Sequence, residues 1–541
     1  MFSLFRMYKI FAVCFGFIPM LAFYGEVYTQ TIPKVWDKCF GGSSADGASA
    51  VVPAVGGGCL VLGYTASPVS GDKTEDSRGN RDYWVVKVDG SGNKVWDKSF
   101  GGTMRDQPSA ITPAVGGGYI IVGSSASGVS GDKTEASRGQ DDVWIVKIDE
   151  NGTTLWDKTF GGQFPDYASA ITPVQGGGYI VAGYSTSGIS GDKSETTQGG
   201  YDYWVVKIDE NGNKIWDKTF GGSAADVATG VTSVPSGGCI VVGYSESGAS
   251  GNKTSDSRGN RDYWLVKIDG NGTKVWDKTF GGSNFDEAYS ITAATGGAYL
   301  VAGYSASGVS EDITWESKGD TDFWVLKIDE NGNKIWDKRY GGQGQDNPRS
   351  ILANHDGSSY LVAGYSRSSL GGDKTQASKG DWDYWVLGID ENGTKLWDQT
   401  LGGNRADAGG SLALGTGNDL FVAGESYSGN TGDKTQESQG ERDFWVIKLA
   451  LPGASSRNTM QTADFILYPT FTQGLITARF NALSESTESV QVRDLSGRIV
   501  ASQILKLIPG YNEFSLDLAN QPMGVYSIQV LGHVAKVILA K

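Results

Sequence analysis

The stretch at residues 202–220, DYWVVKIDENGNKIWDKTF, restricts what this chain can fold into more than any other. Its two apolar runs flank Asn211-Gly212. An Asn-Gly step between such runs is the strongest short-range hairpin signal, because both turn residues must take positive φ. Copies of the hairpin recur along most of the chain. The first tryptophan falls at Trp84, Trp144, Trp204, Trp264, Trp324, Trp385 and Trp445. The second falls at Trp36, Trp96, Trp156, Trp216, Trp276, Trp336 and Trp397. Each series steps by 60 residues, with one step of 61 near the end. A fixed long period means stacked units, each burying a face it cannot bury alone.

One period supplies four strands. After Gly161-Gly162, Asp166 precedes ASAITP, whose small residues suit a crowded innermost strand. Gly176-Gly177-Gly178 turns into YIVAGYS, apolar throughout and so covered on both faces. A polar loop of about fifteen residues leads to the two tryptophan strands. Asp217 and Lys218 in the last strand suit a solvent-facing outer edge. Four short antiparallel strands per repeat make the blade of a β-propeller. The array begins with an outer strand alone, at residues 34–40, and ends with the Trp445 strand, which has no partner after it. The first strand therefore completes the seventh blade. The fold class expected is all-β: a seven-bladed β-propeller closed by the N-terminal strand, spanning residues 31–451.

These repeats, with the pattern GG…D…GGxxVxGxS…DxWVxKxDxxGxxxW over residues 34–449, resemble bacterial secreted seven-bladed propeller proteins. That resemblance speaks to fold more than to activity. Residues 1–30 read as a signal peptide, with Arg6 and Lys9 before a short apolar core. No transmembrane span is expected in the mature chain, which should be a monomer. A net charge of −15 excludes a nucleic-acid partner. Cys39, Cys59 and Cys239 look like unpaired substitutions inside strands.

Composition changes after Leu451. Residues 452–464 read as a linker, and residues 465–541 carry their own strand pattern, expected to form a small immunoglobulin-like β-sandwich. Tyr468, Pro469 and Gly474 open this segment; Asp494 and Gly497 lie in VRDLSGR, Gly524 and Tyr526 in MGVY, and Lys536 and Lys541 close it. On these residues it resembles the type A C-terminal sorting domain of the type IX secretion system of Bacteroidetes. Thr470-Phe471 departs from the family's usual Asn-Pro. The resemblance implies a partnership with the secretion machinery, export through the outer membrane, and release or attachment at the cell surface.

Groups able to attack or titrate near neutrality are scarce. His355 and His533 are the two histidines, and no Gly-x-Ser-x-Gly elbow, HExxH or phosphate loop occurs. No catalytic residue is assigned. Two aspartate series repeat with the blades. Asp46, Asp106, Asp166, Asp226, Asp286, Asp346 and Asp407 follow the Gly-Gly turn; Asp82, Asp142, Asp202, Asp262, Asp322, Asp383 and Asp443 open the third strand. Short acids at fixed turn positions accept backbone N–H bonds. Calcium at the first series is the alternative, and no other cofactor is expected. Trp315 and Trp382 lie outside both tryptophan series, in the long loops of adjacent repeats, where they could stack on a sugar. The long loops and the Gly-Gly crossovers should share one face of the ring. The leading expectation is a non-catalytic binding, adhesion or scaffold protein with a carbohydrate or surface-protein ligand. The alternative is a polysaccharide-active hydrolase or lyase.

Overall fold

The computed structural model describes residues 31–355, 357–451, 466–468, 471–472, 475–482, 486–494, 498–507, 510–530 and 533–539. The expected signal peptide and linker lie outside the described residues, as do Pro469, Gly474, Gly497 and Lys541. Seven four-stranded antiparallel sheets form the ring. In the third blade the order from the axis outward is Asp166–Pro173, Tyr179–Ser185, Asp202–Ile208, Lys214–Phe220. Strand-to-strand contact between blades concentrates on the first strands, as expected where sheets converge on an axis. Gly212 turns the hairpin at φ 82°, and Gly176, Gly177 and Gly178 all take positive φ in the inner turn.

The ring closes as the unpaired ends require. Lys34–Phe40 pairs antiparallel with Asp443–Ala450, with Cys39 opposite Trp445 and Lys38 opposite Val446. The seam reproduces the bonds inside every other blade. Trp445 donates its indole N–H to Asp37 at 3.1 Å, as Trp204 does to Asp217 at 3.1 Å. Thr435 N–H caps Asp37 at 2.9 Å, as Ser194 N–H caps Asp217 at 2.8 Å.

Asp217 is not at the solvent edge that its strand position suggests; it is buried. The blade's own long loop folds over the outer strand, so the carboxylate meets an indole N–H, a loop N–H and Lys214 at 2.8 Å. Those bonds hold it below the ordinary carboxylate range in spite of burial, which opposes them.

The two tryptophans of the hairpin have different tasks. Trp204 and its six equivalents are almost fully buried between blades. Tyr203 stacks on Trp264 of the next blade at 4.7 Å and donates its hydroxyl to that residue's carbonyl at 2.9 Å. Burial of such a side chain is worth about 4–6 kcal/mol gross, from roughly 150–250 Å² at ~25 cal/mol/Å². Trp216 is half-buried and reaches the next blade's hairpin turn, donating to Gly270 O at 3.2 Å. Cys39, Cys59 and Cys239 are free and buried. Burial pushes the thiols of Cys39 and Cys239 up to about 12, so neither is a reactive thiolate at neutral pH.

The C-terminal segment forms a three-stranded and a five-stranded sheet. Tyr468 ends the strand Ile466–Tyr468, Gly524 opens Gly524–Val530, and Lys536 lies within His533–Leu539. Asp494 accepts from Arg498 N–H and Arg498 Nε at 3.1 Å each. Tyr526 is buried and donates to Pro522 O at 2.5 Å.

Candidate functional site

Both aspartate series sit beneath the loop face, and the structure joins them into one circuit. Asp46 Oδ2 accepts from Gly42 N–H at 2.7 Å and from Ser67 Oγ at 2.8 Å; the other six of its series repeat the backbone bond at 2.6–2.8 Å. The second series accepts a loop N–H, as Asp322 does from Lys318 at 2.8 Å. The two series meet across blade junctions. A Cβ added to Gly341 would lie 2.1 Å from Asp322 Oδ1 and 2.9 Å from Asp346 Oδ2, so glycine there leaves room for both carboxylates. Burial, and then the charge of Asp226, pushes the carboxyl of Asp202 up to about 7 against the Gln198 N–H bond. Asp82, Asp142, Asp262, Asp383 and Asp443 rise to about 6, with burial the first cause in each.

Each blade places one buried cation between its own two aspartates. Lys73 lies between Asp46 and Asp82, and Lys133 between Asp106 and Asp142. Lys73 donates to Ser99 Oγ at 2.8 Å and Lys133 to Thr159 Oγ1 at 2.5 Å. The fifth blade departs from this in two places at once. Its loop carries Ile313 where the others carry lysine, and its outer strand carries Arg339 where they carry Ser, Thr or Cys. Arg339 fills the vacated role: its Nε lies 2.9 Å from Asp322 Oδ2, with both side chains fully buried. It also donates to the carbonyls of Ser305 at 2.7 Å and Ser307 at 2.5 Å. Arg339 thus supplies the fifth blade with the buried cation that lysine supplies in the others, and it alone of these seven forms an ion pair with an aspartate of the two series among the described residues. Among the described residues no three His, Cys, Asp or Glu converge so as to hold a metal ion. Around the proposed calcium aspartates, a hydroxyl, backbone N–H groups and a lysine or arginine form the immediate surroundings.

Above this ring the repeats stop agreeing with one another. The penultimate residue of the second strand is Tyr64, Tyr184, Tyr244, Tyr304 or Tyr365 in five blades, but Ser124 and Glu425 in two. The residue before the third strand varies from Arg81 and Asp141 to Tyr201 and Trp382. Parallel bridges from Arg81 to Arg105, and from Arg261 to Phe285, carry these positions onto the next blade's crossover. Long loops and crossovers therefore share one face, and the variable residues line the channel mouth at its centre.

Across blades two to five the mouth is an aromatic hollow. Two adjoining cavities, ≈ 460 Å³ and ≈ 330 Å³, share Tyr167, Tyr184 and Tyr244. Tyr184 lies 5.0 Å from Tyr167 and edge-on to Tyr201 at 5.2 Å. Burial pushes the Tyr184 phenol up to about 12, so it stays a neutral donor. Carboxylates at the mouth are held by arginine: Asp141 by Arg105 at 3.0 Å, Glu287 and Glu246 by Arg261 at 2.7 and 2.8 Å, and Glu425 by Arg442 at 2.8 Å. Such a surface offers ring faces, hydroxyls and fixed charges in a hollow of ligand size.

The two tryptophans singled out from sequence are not brought together. Trp382 stands at the mouth, edge-on to Tyr365 at 4.8 Å, with the Arg367 guanidinium 5.0 Å from its ring. Trp315 faces the outer strand, donating to Asp337 O at 2.9 Å beneath the Lys338 ammonium at 4.5 Å. It occupies the place of Glu75, which pairs with Lys98 at 2.7 Å in the first blade. His355 is a turn residue whose Nε2 meets Gly415 O at 2.9 Å. Sequence reading missed the mouth tyrosines and arginines. The signal that finds them is disagreement between aligned repeats beside invariant aspartates.

Comparison with known proteins separates the two parts of the chain. Residues 466–539 match the family model described as "Secretion system C-terminal sorting domain". The regulatory protein FlaEY of Caulobacter vibrioides is 24% identical over 409 residues, which cover 69% of this chain and 39% of that protein. The chain thus matches well under half the length of that relative. Among solved structures, Kuenenia stuttgartiensis hydrazine synthase aligns with a TM-score of 0.36 at 14% identity, covering 59% of this chain and 75% of that one. BBS1N in complex with ARL6DN aligns with a TM-score of 0.41 at 10% identity, covering 79% and 98%. Among the described residues no helix is long and apolar enough to cross a membrane. The chain is a seven-bladed β-propeller carrying a type IX secretion system C-terminal sorting domain, which directs export to the cell surface or the medium.

Proposed function

We propose that the exported propeller is a non-catalytic binding module that takes a saccharide at its channel mouth. The observation that carries this reading is the crescent formed by Tyr167, Tyr184, Tyr201 and Tyr244, where the repeats abandon their common sequence. Tyrosine offers a flat apolar face to a sugar ring and a hydroxyl to its edge. Rigid blades hold the crescent in place, and loops on a rigid scaffold are the usual seat of recognition. The arginine pairing of Asp141, Glu246 and Glu287 favours fixed recognition, and Glu425, which burial raises to about 7, is the carboxyl on which the hydrolase or lyase alternative would rest.

The test is a glycan panel on the mature chain, followed by calorimetry on the best ligand. Binding should weaken at least about tenfold in Tyr184→Ala and Tyr244→Ala, a stacking loss of roughly 1–2 kcal/mol. Retained affinity in both variants, or capture of a surface protein with no saccharide bound at millimolar concentration, would overturn the reading. Turnover of a polysaccharide would move the protein to the hydrolase or lyase class.

A further inference from the structure

Every innermost strand of the ring carries one bulged residue at the same place. The register shifts between Ala48 and Ala50 in the first blade, between Ala288 and Ser290 in the fifth, and between Pro348 and Ser350 in the sixth. The extra residue is small in five blades: Ser49, Ser109, Ser169, Thr229 and Gly410. In the fifth and sixth blades it is Tyr289 and Arg349. A bulge leaves its extra residue outside the ladder and re-aims the side chain. Ser109, Ser169, Thr229 and Tyr289 all line the larger cavity, so these side chains face the channel. The channel wall is thus smooth except where Tyr289 and Arg349 stand side by side.

Arg349 is the single Lys or Arg on any of the seven innermost strands. Its guanidinium carbon lies 4.3 Å from the Tyr289 ring centroid and 5.2 Å from that of Tyr365. Its Nη2 donates to Tyr365 Oη at 2.7 Å. Tyr289 in turn donates to Glu287 at 2.8 Å, and Glu287 is held by Arg261, so Tyr289 is tethered, while Tyr365 packs edge-on against Trp382 at 4.8 Å. Aromatic neighbours cover the faces of a guanidinium and leave its edge, where the N–H donors lie. Among the described residues no carboxylate forms an ion pair with Arg349, whereas Arg105, Arg367 and Arg442 each have one and Arg261 has two. Tyr365 takes one donor of the edge, at Nη2, and a guanidinium whose other donors have no carboxylate is a receptor for a planar or tetrahedral anion.

We infer that Arg349 is an anion subsite beside the tyrosine crescent, and that the saccharide taken by the propeller is acidic. The inference rests on the saccharide-binding reading and adds to it the chemical class of the ligand. The neutral part of the sugar lies on the crescent, and its carboxylate or sulfate ester meets the Arg349 edge. Arg349→Lys keeps the charge but not the two-pronged geometry, so it retains only part of the preference.

The experiment is calorimetric titration of the full mature chain with trigalacturonate, a sulfated trisaccharide and a neutral galactose trisaccharide. The wild type, Arg349→Gln and Arg349→Lys are compared, each first matched to the wild type by thermal melting. Expected is a preference for an acidic over the neutral ligand on the order of tenfold or more, as one charge-assisted bond confers. Arg349→Gln should abolish the preference while leaving neutral affinity within about twofold. Preference for the sulfated sugar over the uronate supports the subsite and identifies sulfate as the anion. Equal binding of acidic and neutral sugars by the wild type overturns the inference and leaves the saccharide reading standing. An acidic preference that survives in Arg349→Gln overturns it too. Binding of none of the three overturns both.

Discussion

The exchange of Lys for Ile313 and of Thr for Arg339 makes a sharp claim about energy. In wild type, Asp322 is fully buried with Arg339 as its cation, and no lysine occupies the loop position. Arg339→Thr leaves the Asp322 and Asp286 carboxylates without a counter-charge in a dry junction. Removing one partner of a buried pair costs about 3–5 kcal/mol. For a ring of this length the unfolding entropy is roughly 0.9 kcal/mol/K, so the loss is about 3–6 °C in Tm. Ile313→Lys alone crowds an ammonium against the Arg339 guanidinium and should also destabilise, by about 2 kcal/mol or more. The double variant recreates the Lys133–Thr159 arrangement of the second blade and should return to within about 1 kcal/mol of wild type. Calorimetric melting of the four proteins, closed as a double-mutant cycle, measures the coupling. A coupling below about 1 kcal/mol would sink the idea that one buried cation per blade is obligatory.

Three further outcomes follow from the same geometry. Burial raises the carboxyls of Asp82, Asp142, Asp262, Asp383 and Asp443 to about 6 and that of Asp202 to about 7, and it raises Asp322 as well. The folded state therefore holds more protons than the unfolded state from roughly pH 4 upward, and stability falls as pH rises to about 7; Asp202→Asn should flatten this slope and raise Tm at pH 7.5, and a Tm that climbs from pH 5 to 7.5 would contradict it. Because hydroxyl and backbone N–H donors already hold the aspartates and each pair has one lysine or arginine offsetting part of its charge, chelator treatment followed by added calcium should leave Tm unchanged within about 1 °C; a larger rise with calcium would place a metal in the ring. Deleting residues 31–40 exposes the Asp443–Ala450 edge and should replace one cooperative melt with earlier unfolding and association; a monomer with wild-type Tm would show that closure contributes nothing.

Most of the fold was legible because it is written in local, repeated chemistry. The Asn-Gly turns, the doubly buried second strands and the half-hairpin after Trp445 each predict a feature independently, and they agree. Asp217 was misread for a physical reason: alternation along a strand reports which face a residue is on, not whether a distant loop folds over that face. The mouth was harder. Tyr167, Tyr184 and Tyr201 are seventeen residues apart in sequence and look unremarkable singly. Pairing of the inner three strands of the third blade, with Tyr167 directly opposite Tyr184, brings them within 5.0–6.5 Å of one another. Trp315 drew attention because it is rare in its loop, yet it replaces one side of an ion pair with a cation–π contact and stays at the periphery.

The seam between Lys34–Phe40 and Asp443–Ala450 has a consequence for how such a ring can change over generations. Its contacts are those of any internal blade, down to the Trp445–Asp37 bond. A closing strand of that kind does not register how many blades precede it. Gain or loss of one 60-residue unit by recombination between near-identical repeats leaves every interface chemically intact and alters only the bore of the channel. The blade number is then not enforced at the joint. What remains to constrain it lies at the axis, where the innermost strands pack against one another.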